Sequence, residues 1–194
     1  SPDGAFSSVT AGSDALPLVA VFDSNNNDLK AVHCADATCS AATTTVLDSA
    51  GNVGRFPAIT VGADGLGLVS YLDATNGNLK VAHCTNLACS TFTTAAVDAS
   101  GKVGDSQTSV TVGIDGLGLV SYYDGTGGDL DVAHCSNTAC SSATTTAIDT
   151  ANDVGRSSSI VIGADGLGLV SYSDSTNTRL RVAHCSNVAC SAAT

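Results

Sequence analysis

The residues best equipped for chemistry recur in one short motif, His-Cys-x4-Cys. It stands at AVHCADATCS (31–40), VAHCTNLACS (81–90), VAHCSNTACS (132–141) and VAHCSNVACS (182–191). A histidine beside two thiols raises three chemistries. For a metal site, neighbouring residues of a strand point to opposite faces, so His83 and Cys84 cannot both reach one ion unless the strand bends. Tetrahedral zinc would also need a fourth ligand. Covalent haem attachment places its histidine directly after the second cysteine, whereas here it precedes the first. That leaves a disulfide inside each motif, favoured by the even count and by one pair per copy. The expected bridges are Cys34–Cys39, Cys84–Cys89, Cys135–Cys140 and Cys185–Cys190, and a six-residue ring is worth roughly 2 kcal/mol on the loop-entropy account.

The histidines His33, His83, His134 and His184 then take a structural role. Along LKVAHC, Leu79, Val81 and His83 share one face, and Lys80, Ala82 and Cys84 the other. A neutral imidazole on the apolar face needs a hydrogen-bond partner within its own unit, with Ser70, Tyr71 and Asp73 as candidates. Turns such as DSNNND (23–28), DATNGN (73–78) and DGTGGD (124–129) carry oxygen ligands at alternate positions, as calcium loops do. They lack the closing Glu of the twelve-residue loop, and ordinary Asp and Asn turn chemistry accounts for them. No metal or other cofactor is expected, calcium being the one ion left open. Glycoside hydrolysis needs two carboxylates in different environments. No such pair stands apart from the periodic Asp residues, no break in the repeat marks a catalytic site, and the expectation is that the chain is not an enzyme.

The elements that position these residues follow from composition and period. All 18 acidic residues of the 194 are Asp, Met and Trp are absent, and the formal charge is -11. Good helix formers are scarce and strand and turn formers abundant. The negative field repels a polyanion, which excludes nucleic acid as a partner. No apolar run reaches the length of a membrane span, and SPDGAF lacks the regions of a signal peptide, so the sequence reads as a mature chain or an excised fragment.

The histidines are 50, 51 and 50 residues apart, and the surrounding sequence repeats with them, giving units of about 1–50, 51–100, 101–150 and 151–194 within one domain. Each unit divides into four strand-sized pieces. The first meets the second across Asp64-Gly65, Asp115-Gly116 or Asp165-Gly166, a dipeptide favoured in two-residue hairpins. The longest connection follows the fourth piece. Antiparallel meanders of 40 to 50 residues joined by such a crossover are the blades of a β-propeller. A β-solenoid, the alternative, needs only about 20 to 30 residues per coil. The fold expected is all-β, a propeller of four blades, the last lacking its outer strand because Thr194 falls at the phase of Thr43.

The repeat, DGLGLVSY-x-D followed by L-x-V-A-H-C-x4-C, resembles that of secreted bacterial tandem-repeat proteins, of the type DG-x-(L/I)-(V/I)-S-Y-x-D, thought to form propellers. The resemblance covers nearly the whole chain and implies a fold and a secreted or cell-surface location, with no chemistry attached to the repeat. The first copy departs most, with Val21 and Phe22 where later copies have Tyr71, Tyr122 or Tyr172 and its neighbour. On this reading the chain is an extracellular structural protein that self-assembles through blade edges and termini. The candidate contact residues are Leu180, Val182 and His184 of the last unit with Phe6 and Val9 of the first. The alternative is a propeller that binds a glycan or a cell-surface protein, for which Tyr71, Tyr122 and Tyr172 are the aromatic candidates.

Overall fold

The computed structural model describes residues 3–100 and 102–194. Among the described residues fifteen strands form four antiparallel sheets, one per repeat, each in simple meander order. The first blade comprises β1 (Asp3–Ala11), β2 (Pro17–Asp23), β3 (Asp28–Cys34) and β4 (Ala42–Asp48). The second comprises β5 (Val53–Val61), β6 (Gly67–Asp73), β7 (Asn78–Cys84) and β8 (Phe92–Asp98). The third holds β9 (Ser109–Val112), β10 (Gly118–Asp124), β11 (Asp129–Cys135) and β12 (Ala143–Asp149), and the fourth β13 (Val154–Ile162), β14 (Gly168–Asp174) and β15 (Arg179–His184). The fourth blade stops where its outer strand would begin: Thr194 exchanges two backbone hydrogen bonds of 2.9 Å with His184. Among the described residues no helix is long and apolar enough to cross a membrane.

The period-two alternation gives every blade two apolar faces. In the second blade Leu68, Ser70 and Leu72 lie opposite His83, Val81 and Leu79 on one face, and Val69 and Tyr71 sit opposite Ala82 and Lys80 on the other. The first face is turned to the following blade and the second to the preceding one. Thus Leu18, Leu29 and Ala31 of the first blade bury themselves against Val69, Tyr71 and Ala82 of the second. Equivalent clusters join the second blade to the third and the third to the fourth. A fully buried Leu contributes on the order of 2 kcal/mol, so each junction is a small core in its own right. First strands of adjacent blades pack together while fourth strands barely meet, which sets the blades radially around an axis.

Crossovers are clamped on both sides. Val53 N–H donates to Asn27 C=O of the first blade (3.0 Å), and Ala74 N–H of the second donates to Asn52 C=O (2.9 Å). The chain can pass there because Gly54 has φ +92°, and a Cβ on it would lie 2.6 Å from the Leu29 Cα.

The hairpins between first and second strands differ from the two-residue form expected. Gly62 N–H donates to Leu66 C=O and Gly65 N–H to Gly62 C=O, so Ala63, Asp64 and Gly65 form a three-residue loop closed by Gly65 at φ +80°. In the first blade Ala15 takes that left-handed position at φ 63°. The Asp-Gly pair still marks the turn, with the glycine in the left-handed place of a bulged hairpin.

The four disulfides link Cys34–Cys39, Cys84–Cys89, Cys135–Cys140 and Cys185–Cys190, with Cα separations of 4.7–4.8 Å. Every second cysteine has φ between 49° and 54°, so the bridge pins a left-handed turn between the third and fourth strands. Replacing Cys84 and Cys89 together by Ala should lower the unfolding free energy by about 2 kcal/mol, read from urea denaturation. A change below a few tenths would mean that the loop is held by its own hydrogen bonds.

Candidate functional site

Each repeat histidine is fixed by the turn of its own blade. His33, His83, His134 and His184 place Nε2 2.7–2.8 Å from Oδ2 of Asp14, Asp64, Asp115 and Asp165. The other oxygen of each carboxylate accepts the N–H of Leu16, Leu66, Leu117 or Leu167. The partner is therefore the Asp of the hairpin, not Ser70, Tyr71 or Asp73 as expected. His83 sits across from Leu68, at the end of the ladder nearest that hairpin. This arrangement repeats four times and closes on itself, which makes it a turn lock. The turns that looked like calcium loops are likewise engaged internally: Asp73 accepts from the N–H groups of Thr75 and Asn76 and from the Asn76 amide.

Tyr71, Tyr122 and Tyr172, candidate glycan contacts by type, are 0–2% exposed. Their hydroxyls reach back to the fourth strand of the preceding blade, donating to Asp48 (2.7 Å), Asp98 (2.8 Å) and Asp149 (2.5 Å). Burial, reinforced by these carboxylates, pushes Tyr172 up to about 12 and the other two higher still. In two junctions a cation completes the cluster, Lys80 on Asp48 and Arg181 on Asp149. In the junction between second and third blades the equivalent residue is Asp131. Burial first, then the charges of Asp124, Asp129 and Asp98, push its carboxyl up to about 6. One of its oxygens is buried with no hydrogen-bond partner. A carboxyl raised to about 6 beside a second carboxylate is a pairing that acid–base chemistry uses. This pair is capped by Tyr122 inside a blade junction.

The first strands enclose a different site. Segments of β1, β5 and β13 and the residues that lead into β9 line one cavity of about 460 Å³ on the axis. It is lined by Phe6 and Phe56, by Ala5, Pro57 and Ala58, and by polar residues that include Ser7, Ser8, Gln107 and Ser159. The two rings are 4.2 Å apart between centroids at 46°, Phe22 backs Phe6 at 6.2 Å, and the Arg55 guanidinium lies 5.2 Å over Phe56 while bonded to Asp105 at 2.8 Å. The strand is irregular here. The register of β5 shifts between Arg55 and Ala58, and Phe56 has φ +51°, an uncommon conformation for an aromatic residue. The fourth blade repeats the irregularity, with a register shift between Arg156 and Ser159 and Ser157 at φ +52°, so it is a bulge of the repeat's first strand. Sequence reasoning passed over this site, although a signal was present: Phe6 and Phe56 occur only in the first two copies, where the inner strands of the later ones carry Gln107 and Ser157. That is the break in the repeat the sequence reading failed to find. Of the expected assembly residues, Val9, Leu180 and Val182 are 65%, 75% and 53% exposed, His184 is held by Asp165, and Phe6 lies in the axial cavity instead of at an edge.

No protein-family profile matches the chain, and no curated protein matches it. Solved structures do. A protein of unknown function from Dyadobacter fermentans superposes with a TM-score of 0.71 at 12% identity, over 97% of this chain and 62% of that one. An exo-β-1,3-galactanase from Clostridium thermocellum gives 0.60 at 12%, over 96% and 46%. The leech intramolecular trans-sialidase gives 0.60 at 17%, over 89% and 30%. The class is thus an all-β propeller, of the fold shared by glycan-processing enzymes, and the chain spans less than two thirds of the length of these neighbours. The expectation that the chain is not an enzyme is corrected by this comparison. It rested on the periodic Asp residues and on finding no break in the repeat, yet the same architecture supports a galactanase and a trans-sialidase.

Proposed function

We propose that the chain is an extracellular glycan-handling propeller that takes a saccharide at the axial cavity. The observation that carries this reading is the Phe6–Phe56 pair, in contact with each other on the wall of a cavity whose other lining residues are mostly Ser, Thr and Gln. A pyranose or furanose ring offers an apolar face to an aromatic side chain and hydroxyls to its surroundings, and the cavity supplies both kinds of partner at the size of a small ligand. Four disulfides favour an oxidising, extracellular setting, and the galactanase and trans-sialidase among the structural neighbours support saccharides as the ligand class. Isothermal titration with galacto- and arabino-oligosaccharides tests it. Binding that weakens at least tenfold in Phe56→Ala, about 1.4 kcal/mol, and is unchanged in Leu87→Ala is expected. An equal affinity in Phe56→Ala would remove the cavity from the reading. Reducing-sugar release measured on the same samples decides between holding and cleaving. The resemblance to secreted tandem-repeat proteins agrees with the extracellular setting. Self-assembly would have to use the outward faces of the first and last blades.

A further inference from the structure

We propose that the forward face of the fourth blade is a docking surface for one further blade of the same repeat, seated in the slot between the fourth blade and the first. In each of the other three blades the forward face is covered. Leu29, Leu79 and Leu130 are 0% exposed and Ala31, Val81 and Val132 are 1% exposed. Their fourth-blade equivalents, Leu180 and Val182, are 75% and 53% exposed, and Leu169 on the adjacent strand is 37% exposed. Leaving three large apolar side chains open on one sheet face forfeits the burial that holds every other junction together.

The polar groups on that face ask for the same kind of neighbour. Across the first junction the Ser8 Oγ accepts the Ile59 N–H (3.2 Å), and across the third the Ser109 Oγ accepts the Ile160 N–H (3.1 Å). Ser159 holds this place on the fourth blade, paired with Ser171. Ser70 and Ser121 meet the hydroxyls of Thr108 and Ser158 at 2.8 and 2.9 Å on the following first strand, and Ser171 is their counterpart. The occupant must therefore bring a first strand with an exposed N–H and a hydroxyl two residues apart, flanked by an apolar face. That is the backward face of this repeat.

The other wall of the slot agrees. Val9 is 65% exposed, whereas Ile59, Val110 and Ile160, at the same place in the later blades, are 3–9% exposed. Val46, on the same face, is 44% exposed. The two walls do not close on each other: an apolar cluster joins each of the three successive pairs of blades, and among the described residues none joins the fourth to the first. A second copy of the chain is a poorer occupant. It would bring four blades around its own axis, and once its first blade filled the slot its second would collide with the first blade of the host.

The test is a chain extended after Thr194 by a copy of residues 94–149, which completes the outer strand of the fourth blade and adds one blade whose first strand brings the Thr108 hydroxyl. The expected result is a monomer whose thermal midpoint is higher by roughly 5 °C or more, with the apolar-dye binding of the original chain lost. Leu180→Asp with Val182→Asp should abolish the shift in the extended chain and move the midpoint of the 194-residue chain by less than about 1 °C, as exposed positions do. An extended chain without the shift, a shift that survives the double substitution, or an added blade whose cysteines remain free thiols would each overturn the proposal. Concentration-dependent dimers of the original chain, broken by the same double substitution, would replace it with a second copy as the occupant.

Discussion

Asp48→Ala should lower the unfolding free energy by about 3–4 kcal/mol, more than any other single substitution at a blade junction. The Asp48 carboxylate ends the outer strand of the first blade and accepts from three directions: the Tyr71 hydroxyl at 2.7 Å, the Lys80 ammonium, and the Ala50 N–H at 3.1 Å. Burial pushes its pKa up, and the hydrogen bonds from Lys80 and Tyr71 outweigh that, so that the carboxyl titrates below the usual range. Truncation leaves a largely buried ammonium and a fully buried phenol without their acceptor. Breaking a buried ion pair from one side costs about 3–5 kcal/mol, because the surviving charge is left uncompensated. Replacing both sides should cost far less. The double variant Asp48→Ala with Lys80→Leu is expected to recover about 2 kcal/mol of the loss in urea denaturation. Equal instability of the single and double variants would show that the cluster acts through Tyr71 alone.

How much of this architecture is legible in the sequence follows from what repetition preserves. Strand pieces, turn positions and cysteine pairing recur in every copy, and each depends on contacts local to one blade. The Asp-Gly hairpin was legible as a turn but not in its length, since a left-handed glycine serves both two-residue and three-residue loops. The histidine partner was misplaced because Asp64 lies nineteen residues before His83, and only the hairpin register brings them together. The axial cavity was missed for the opposite reason. It is built from one segment of each blade, at Phe6, Phe56, Gln107 and Ser158, so its chemistry lies in the differences between copies that a repeat alignment averages away. The slot beside the fourth blade depends on the angle between sheets. That angle is set by the packing of residues such as Leu29 against Tyr71, and no period in the sequence records it.

The junction between the second and third blades should be the molecule's pH-dependent seam, and Asp131→Lys should remove that dependence. In the flanking junctions the position carries Lys80 or Arg181, each paired with the carboxylate it faces; here Asp131 faces Asp98 across Tyr122. Burial, then the nearby carboxylates, raise its pKa from an aspartate's ordinary 3.8 to about 6 in the folded protein. Between those values the folded state keeps a proton that the unfolded chain has released, so stability falls as pH rises from about 4 to 6 and the full penalty persists above. The shift corresponds to roughly 3 kcal/mol, and because water reaches part of the group about half of that, near 1.5 kcal/mol, is the expected loss. Asp129 is raised as well and adds to the slope in the same direction. Asp14, Asp36, Asp48, Asp165 and Asp174 are lowered, so their contributions are present above about 3.8 and fade only at more acid pH, outside this window. At pH 7 Asp131→Lys removes the repulsion and supplies Asp98 with the cation its counterparts have, for an expected gain of about 2–3 kcal/mol. Asp131→Asn removes only the charge and should gain about half as much. Urea denaturation at pH 4.5 and pH 7 reads both. A wild-type chain equally stable at the two values, with no gain in either variant, would mean that Tyr122 and solvent already satisfy the pair.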